Sequence, residues 1–190
     1  MKKCLILAAL FAVMPLASAQ AALYAGFDLT ADSINLSDTA LNLYPEAAIG
    51  PGVHIGERFR NFAVELSYGT TRNSLQQADL RFDRLTADGI YYIPLGGFLN
   101  LLATAGISET NFGTSTYTEQ AYQQDAVTKV TRVSTTLLHG NTLDWRVGSG
   151  LSFALGDGYE FHVMGRYEPL HASGLANYAL SVNAGFNVTF

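Results

Sequence analysis

The sequence predicts an all-β fold: an eight-stranded antiparallel up-and-down transmembrane β-barrel, preceded by a cleaved signal peptide. Three observations carry this. Asn177 to Phe190 alternates strictly, with Tyr178, Leu180, Val182, Ala184, Phe186, Val188 and Phe190 apolar and every residue between them polar or small. A period of two means a strand with two unlike faces. The apolar face outlasts an ordinary strand of about five or six residues and suffices for a bilayer crossing, which takes roughly 9–11 residues with lipid outside and a polar lumen inside. Seven further segments of this kind precede it, and their connections alternate between short and long, as a closed barrel with both chain ends on one side requires.

The first element is an export signal. Lys2 and Lys3 form its positive start, Cys4 to Leu16 is almost wholly apolar with Pro15 near its end, and Ala17-Ser18-Ala19 is a small-x-small cleavage site. The apolar run is shorter than the roughly 20 residues of a membrane helix. Cys4 lies near the front of the segment, whereas a lipoprotein cysteine would follow the apolar run, which argues against a lipid anchor. Residues 1–19 are therefore assigned as a secretory signal peptide and 20–190 as the barrel domain. Cleavage removes the single cysteine, so thiol and disulfide chemistry drop out. It leaves nine basic against 16 acidic residues, a formal charge of −7, which disfavours a nucleic-acid partner.

The strands follow in order. Strand one is Ala22–Asp32, with Leu23, Ala25, Phe27 and Leu29 on one face, then a polar loop from Ser33 to Leu43. Strand two is Tyr44–Gly56, with His54 inward, closed by a charged turn at Glu57–Asn61. Strand three is Phe62–Thr70, and a loop spans Thr71–Gln77. Strand four is Ala78–Pro94. Its apolar frame shifts from even positions (Leu80, Phe82) to odd ones (Leu85, Ala87, Tyr91, Ile93), which predicts a bulge near Asp83-Arg84. Leu95-Gly96-Gly97 is a tight turn into strand five, Phe98–Asn111. Strand six is Asn141–Leu155, Gly156-Asp157-Gly158 is a hairpin signal, strand seven is Tyr159–Pro169, and a short loop leads to strand eight.

The outward aromatics sort by height. Tyr68, Phe82, Trp145, Tyr167 and Tyr178 fall near the outer end, and Phe62, Tyr91, Phe153, Tyr159, Phe161 and Phe186 near the inner end. Two girdles are what interfacial preference predicts. In this pattern, and in its terminal Phe190, the mature chain resembles the small eight-stranded outer-membrane proteins of the OmpA, OmpX and opacity-protein type. The resemblance implies a porin-like barrel in the outer membrane of a Gram-negative cell, touching outer-membrane lipid and lipopolysaccharide. It also implies that Phe190 belongs to the signal read by the barrel-assembly machinery. A monomer is expected, without the periplasmic peptidoglycan-binding domain of longer OmpA proteins.

The inward positions gather Asp28, His54, Glu65, Arg81, Arg84, Asp88, Asp144, Arg146, Glu160, His162 and Arg166. Eight strands leave room for side chains but no open channel, and an isolated charge there is costly. These residues are therefore read as a paired charge network, with Glu160–Arg146 and Glu65–Arg84 as expected pairs. No cofactor is implied. His54 and His162 lack ligand spacing, so no metal site is assigned.

Strands five and six are read as running past the membrane as an exposed hairpin over Gly113–Gly140, where Val127–Val133 favours strand. Its edge, with Tyr117 and Tyr122, is a candidate surface for an extracellular ligand. Two other readings are carried along. One is a narrow ion or small-solute pore. The other rests on His171-Ala172-Ser173, which resembles the His-x-Ser of barrel-type lipid A deacylases, implying a His base and a Ser nucleophile. Here Gly174 stands where that family has Asn. No acidic residue follows Glu168, so strand eight offers no orienting carboxylate. The sequence thus points to a small outer-membrane barrel with a structural or surface role, a plugged lumen and no catalysis.

Overall fold

The computed structural model describes residues 21–36, 47–75, 78–124, 127–171 and 176–190. The signal segment, most of the first loop, the start of the predicted second strand and Ser173 lie outside the described residues.

Eight strands form: β1 (Ala21–Leu36), β2 (Ala48–Phe59), β3 (Phe62–Leu75), β4 (Ala78–Gly96), β5 (Leu99–Gln124), β6 (Val127–Gly156), β7 (Tyr159–Pro169) and β8 (Ala176–Thr189). Each pairs antiparallel with the next, and β8 pairs antiparallel with β1, closing the barrel. Closure leaves no sheet edge within the wall, the condition for β-structure in a bilayer.

The polarity is inverted relative to a water-soluble core. Phe27, Leu29, Val53, Trp145 and Val182 stand more than half exposed on the outer face, while Asp32, Glu65, Asp88, Arg146 and Glu168 are buried inside. Only a surrounding apolar solvent makes both arrangements favourable at once. Stacked and tilted rings mark the two ends. Trp145, Tyr167 and Tyr178 run in series at 5.9 and 5.4 Å near the outer end. At the inner end Phe153 lies 6.3 Å from Phe98 and 6.2 Å from Phe161, and Phe186 lies 5.7 Å from Tyr159.

The inner links are tight. Asp157 and Gly158 both have positive φ, 50° and 82°, the backbone that a two-residue hairpin needs to match strand twist. The turn after β2 is shorter than expected, because Glu57–Phe59 stays in the strand and only Arg60 and Asn61 reverse the chain.

Four further expectations change. The register of β4 runs unbroken on both sides past Asp83 and Arg84, so no bulge occurs there. Phe82 accordingly faces the lumen, fully buried, and is no girdle residue. By the same parity Arg81 is exposed on the outer face, where it pairs with Asp83 at 2.5 Å. Nor is 71–77 a loop throughout: β3 and β4 continue as a hairpin to the Leu75–Ala78 pair.

The barrel is taller on one side. β5 and β6 stay paired from Leu99–Phe153 out to Gln124–Val127, with one register shift at Thr114/Ser115. At about 3.4 Å per residue, the part beyond Asn111 reaches about 45 Å along the strand. β7 pairs with β6 no farther out than Tyr167–Val147, and β4 pairs with β5 no farther out than Ala78–Thr116.

Candidate functional site

Two features stand out: the filled lumen and the β5–β6 ribbon.

The inner third of the lumen is apolar. Tyr24, Ala63, Ile90, Tyr92, Leu102 and Met164 form one buried cluster. Arg58 lies over the Tyr92 ring, 3.7 Å from its centroid, and its Nη1 donates to Glu160 Oε2 at 3.0 Å. Tyr24 donates to Glu65 Oε2 at 3.0 Å.

The middle is ionic. Asp28 takes His54 Nδ1 at 3.0 Å on one oxygen and His162 Nε2 at 2.8 Å on the other. Arg146 grips Asp88 with two nitrogens, Nε at 2.8 Å and Nη2 as its second arm. Arg166 donates to Asn183 Oδ1 at 2.7 Å and lies 3.9 Å from both Glu65 and Asp88.

Nearer the outer end, Arg84 bridges two carboxylates, Asp32 at 2.7 Å and Glu168 at 3.0 Å. Ser108 and Thr110 donate to Glu168, at 3.1 and 2.5 Å, and Thr71 donates to Asp32 at 2.6 Å. The Phe82 ring packs 5.5 Å from the Arg84 guanidinium. A polar cavity of about 40 Å³ lies between the middle and outer groups, touched by Asp28, Asp32, Arg84, Arg146 and Arg166. It has room for about two or three waters.

Ion pairs join these groups, with different partners from those expected. Glu160 pairs with Arg58 rather than Arg146, because the register sets Glu160 beside Ala154, far down β6 from Arg146. Glu65 stands beside Asp88, and Arg84 beside Gly69, so these two do not meet. Tyr24, Asp32, Arg58, Glu168, Asn183 and Asn187 were missed as network members. Strand parity alone places Asp32 with Asp28 and Glu168 with Glu160 and His162 on the inward set.

At the outer mouth, His171 is tied to Asp144. Its Nδ1 lies 2.5 Å from Oδ1, and its backbone N–H donates to Oδ2 at 3.3 Å. A carboxylate does reach His171, then, from the lumen face of β6 rather than from strand eight. Glu168 is committed to Arg84, Ser108 and Thr110 instead.

In the ribbon, Tyr117 and Tyr122 stand at strand positions opposite Ser134 and Lys129. β5 beyond Thr116 and β6 outward from Arg146 each have a single neighbour strand among the described residues.

A family model described as outer membrane protein beta-barrel domain matches residues 4–187. Among solved structures, Neisserial surface protein A superposes with a TM-score of 0.65 at 16% identity, covering 88% of this chain and 97% of that one. The attachment invasion locus protein Ail of Yersinia pestis gives a TM-score of 0.52 at 12% identity, covering 90% and 97%. No curated protein sequence matches the chain.

Proposed function

The chain belongs to the outer membrane protein beta-barrel family, and from that premise we propose that it is a surface-contact barrel whose working part is the β5–β6 ribbon. Its location in the bacterial outer membrane puts the outer belt against lipid and lipopolysaccharide. The observation that carries the proposal is the ribbon itself, β5 and β6 paired for about 45 Å beyond Asn111, with no third strand on either among the described residues past Thr116. An unpaired strand edge offers a row of N–H and C=O groups to another chain. Tyr117 and Tyr122 both lie on β5 in this stretch, and tyrosine is a residue type common at interfaces. The attachment role named for the Yersinia barrel is of the same type.

The remaining parts of the proposal are a signal peptide over 1–19, assembly through the terminal strand, a monomer, and no catalysis. The lumen serves as a plug. Its apolar inner cluster and the Arg58–Glu160 pair support closure over conduction.

The test is to replace 113–140 by a two-residue turn and express both forms in cells. Adhesion to surfaces coated with extracellular-matrix protein or with heparin should fall to background while heat-modifiable barrel persists. Equal adhesion by the trimmed form would overturn the ribbon as the contact element.

A further inference from the structure

We propose that His54 is a buried proton-binding site, an imidazolium held between Asp28 and Asn187 whose proton fastens the ionic middle of the lumen to its inner closure. The argument starts with the amide. Asn187 Nδ2 donates to Glu160 Oε1 at 3.3 Å, which turns Asn187 Oδ1 toward His54. His54 Nε2 meets that oxygen, and its Nδ1 meets Asp28 Oδ2 at 3.0 Å. Both partners are acceptors, whereas a neutral imidazole has one N–H and one lone pair. A neutral ring would point a lone pair at an oxygen inside the lumen, so the geometry requires both N–H groups.

Two further observations agree. Among the described lumen groups, seven carboxylates (Asp28, Asp32, Glu65, Asp88, Asp144, Glu160, Glu168) face four arginines (Arg58, Arg84, Arg146, Arg166). Among the described ion pairs none joins Asp28 to an arginine; its partners are His54 and His162. The wall is also cleared for this cluster. A Cβ at Gly26 would lie 2.6 Å from Asn187 Oδ1, and one at Gly185 would lie 2.7 Å from the His162 ring.

The titratable and polar groups facing His54 are Tyr24 and Asp28 on β1, Glu65 on β3, Glu160 and His162 on β7 and Asn187 on β8. Loss of the proton would leave the Nδ1–H on the charged Asp28 and a bare Nε2 against Asn187 Oδ1. Asn187 then has to turn its amide, which breaks its bond to Glu160 and leaves that carboxylate to Arg58 and the Tyr92 hydroxyl. A proton on His54 thus controls the closure of the inner mouth.

The experiment is NMR of the whole barrel, folded in lipid nanodiscs with nitrogen-15-labelled histidine, asparagine and arginine, as pH is raised from neutrality. The chain has four histidines, and His54→Gln and His162→Gln assign the lumen pair. Both His54 nitrogens should be protonated at neutral pH. One proton should then be lost, with the Asn187 amide and Arg58 Nε signals moving at the same midpoint. Removing the acceptor in Asn187→Leu should weaken proton binding about tenfold, one pH unit. A bare nitrogen on wild-type His54 at neutral pH, Asn187 and Arg58 signals indifferent to the titration, or an unmoved midpoint in Asn187→Leu would each overturn the proposal.

Discussion

Asp88 on β4 and Arg146 on β6 meet across β5 because the residue between them is Gly106. The register runs Asp88–Gly106–Arg146, and the two-armed pair passes over a backbone that carries no side chain. A Cβ at Gly106 would lie 2.8 Å from Asp88 Cα. Arg146→Ala leaves Asp88 with Arg166 at 3.9 Å as its remaining cationic partner. Breaking one side of a buried ion pair costs about 3–5 kcal/mol, whereas replacing both sides by apolar groups of similar volume is often neutral. Urea unfolding of vesicle-folded protein, followed by the single tryptophan Trp145, should show that loss for Arg146→Ala. Most of it should return in Asp88→Leu/Arg146→Met. A single mutant as stable as wild type would mean that the pair does not hold the barrel.

The proposed plug has an electrical consequence. The six-residue apolar cluster and the Arg58–Glu160 pair sit in series at the inner end, so the wild-type barrel should be silent in planar bilayers across a range of salt and voltage. Tyr92→Ala/Leu102→Ala removes two members of the cluster and should introduce small unitary currents. Steady currents through the wild type, altered by Glu65→Ala or Arg166→Ala, would make the pore the leading function.

Phe190 illustrates a residue whose expected role is not stability. Phe190 is 77% exposed, and its backbone N–H donates to Leu23 O at 2.8 Å, tying it to β1. The hydrogen bond survives substitution because it is main-chain. Phe190→Asp should therefore fold in detergent micelles within about 0.5 kcal/mol of wild type, yet accumulate poorly in outer membranes. Normal accumulation of heat-modifiable protein in cells would remove the assembly role from this residue.

The wall was legible in the sequence wherever one face is uniformly apolar. β7 matches its expected bounds, and β8 lies within a residue of them. β4 misled because Phe82 is apolar yet turned inward against Arg84. Alternation treats every large apolar residue as lipid-facing, and one inward ring mimics a frame shift. The parity of Asp28, Glu65, Arg84 and Asp88 was readable, but their partners were not. Arg146 reaches Asp88 over a neighbouring strand, and Arg84 reaches both Asp32 and Glu168. Such contacts depend on stagger and on which positions are glycine. The ribbon's Thr- and Gln-rich sequence carries little apolar alternation, so its strand character had to come from Val127–Val133.

His171 and Asp144 pose the sharpest test of the non-catalytic reading. A carboxylate on Nδ1 fixes an imidazole tautomer in the way a general base requires, and the His171 side chain is 71% exposed at the mouth. Yet Asp144 projects from the lumen face of β6, whereas a lipid A hydrolase must work on the face that meets lipid. The contact also has a mechanical role: two hydrogen bonds from one residue anchor the segment after β7 to β6 where strand pairing has ended. If anchoring is its role, Asp144→Asn should lower stability by about 1 kcal/mol or less, given the exposed partner. Ser173→Ala and His171→Gln should both leave lipid A acylation unchanged, as read by mass spectrometry of lipid A from expressing cells. An acyl chain lost in wild-type cells and retained in both variants would establish a hydrolase, with Asp144 as the orienting carboxylate.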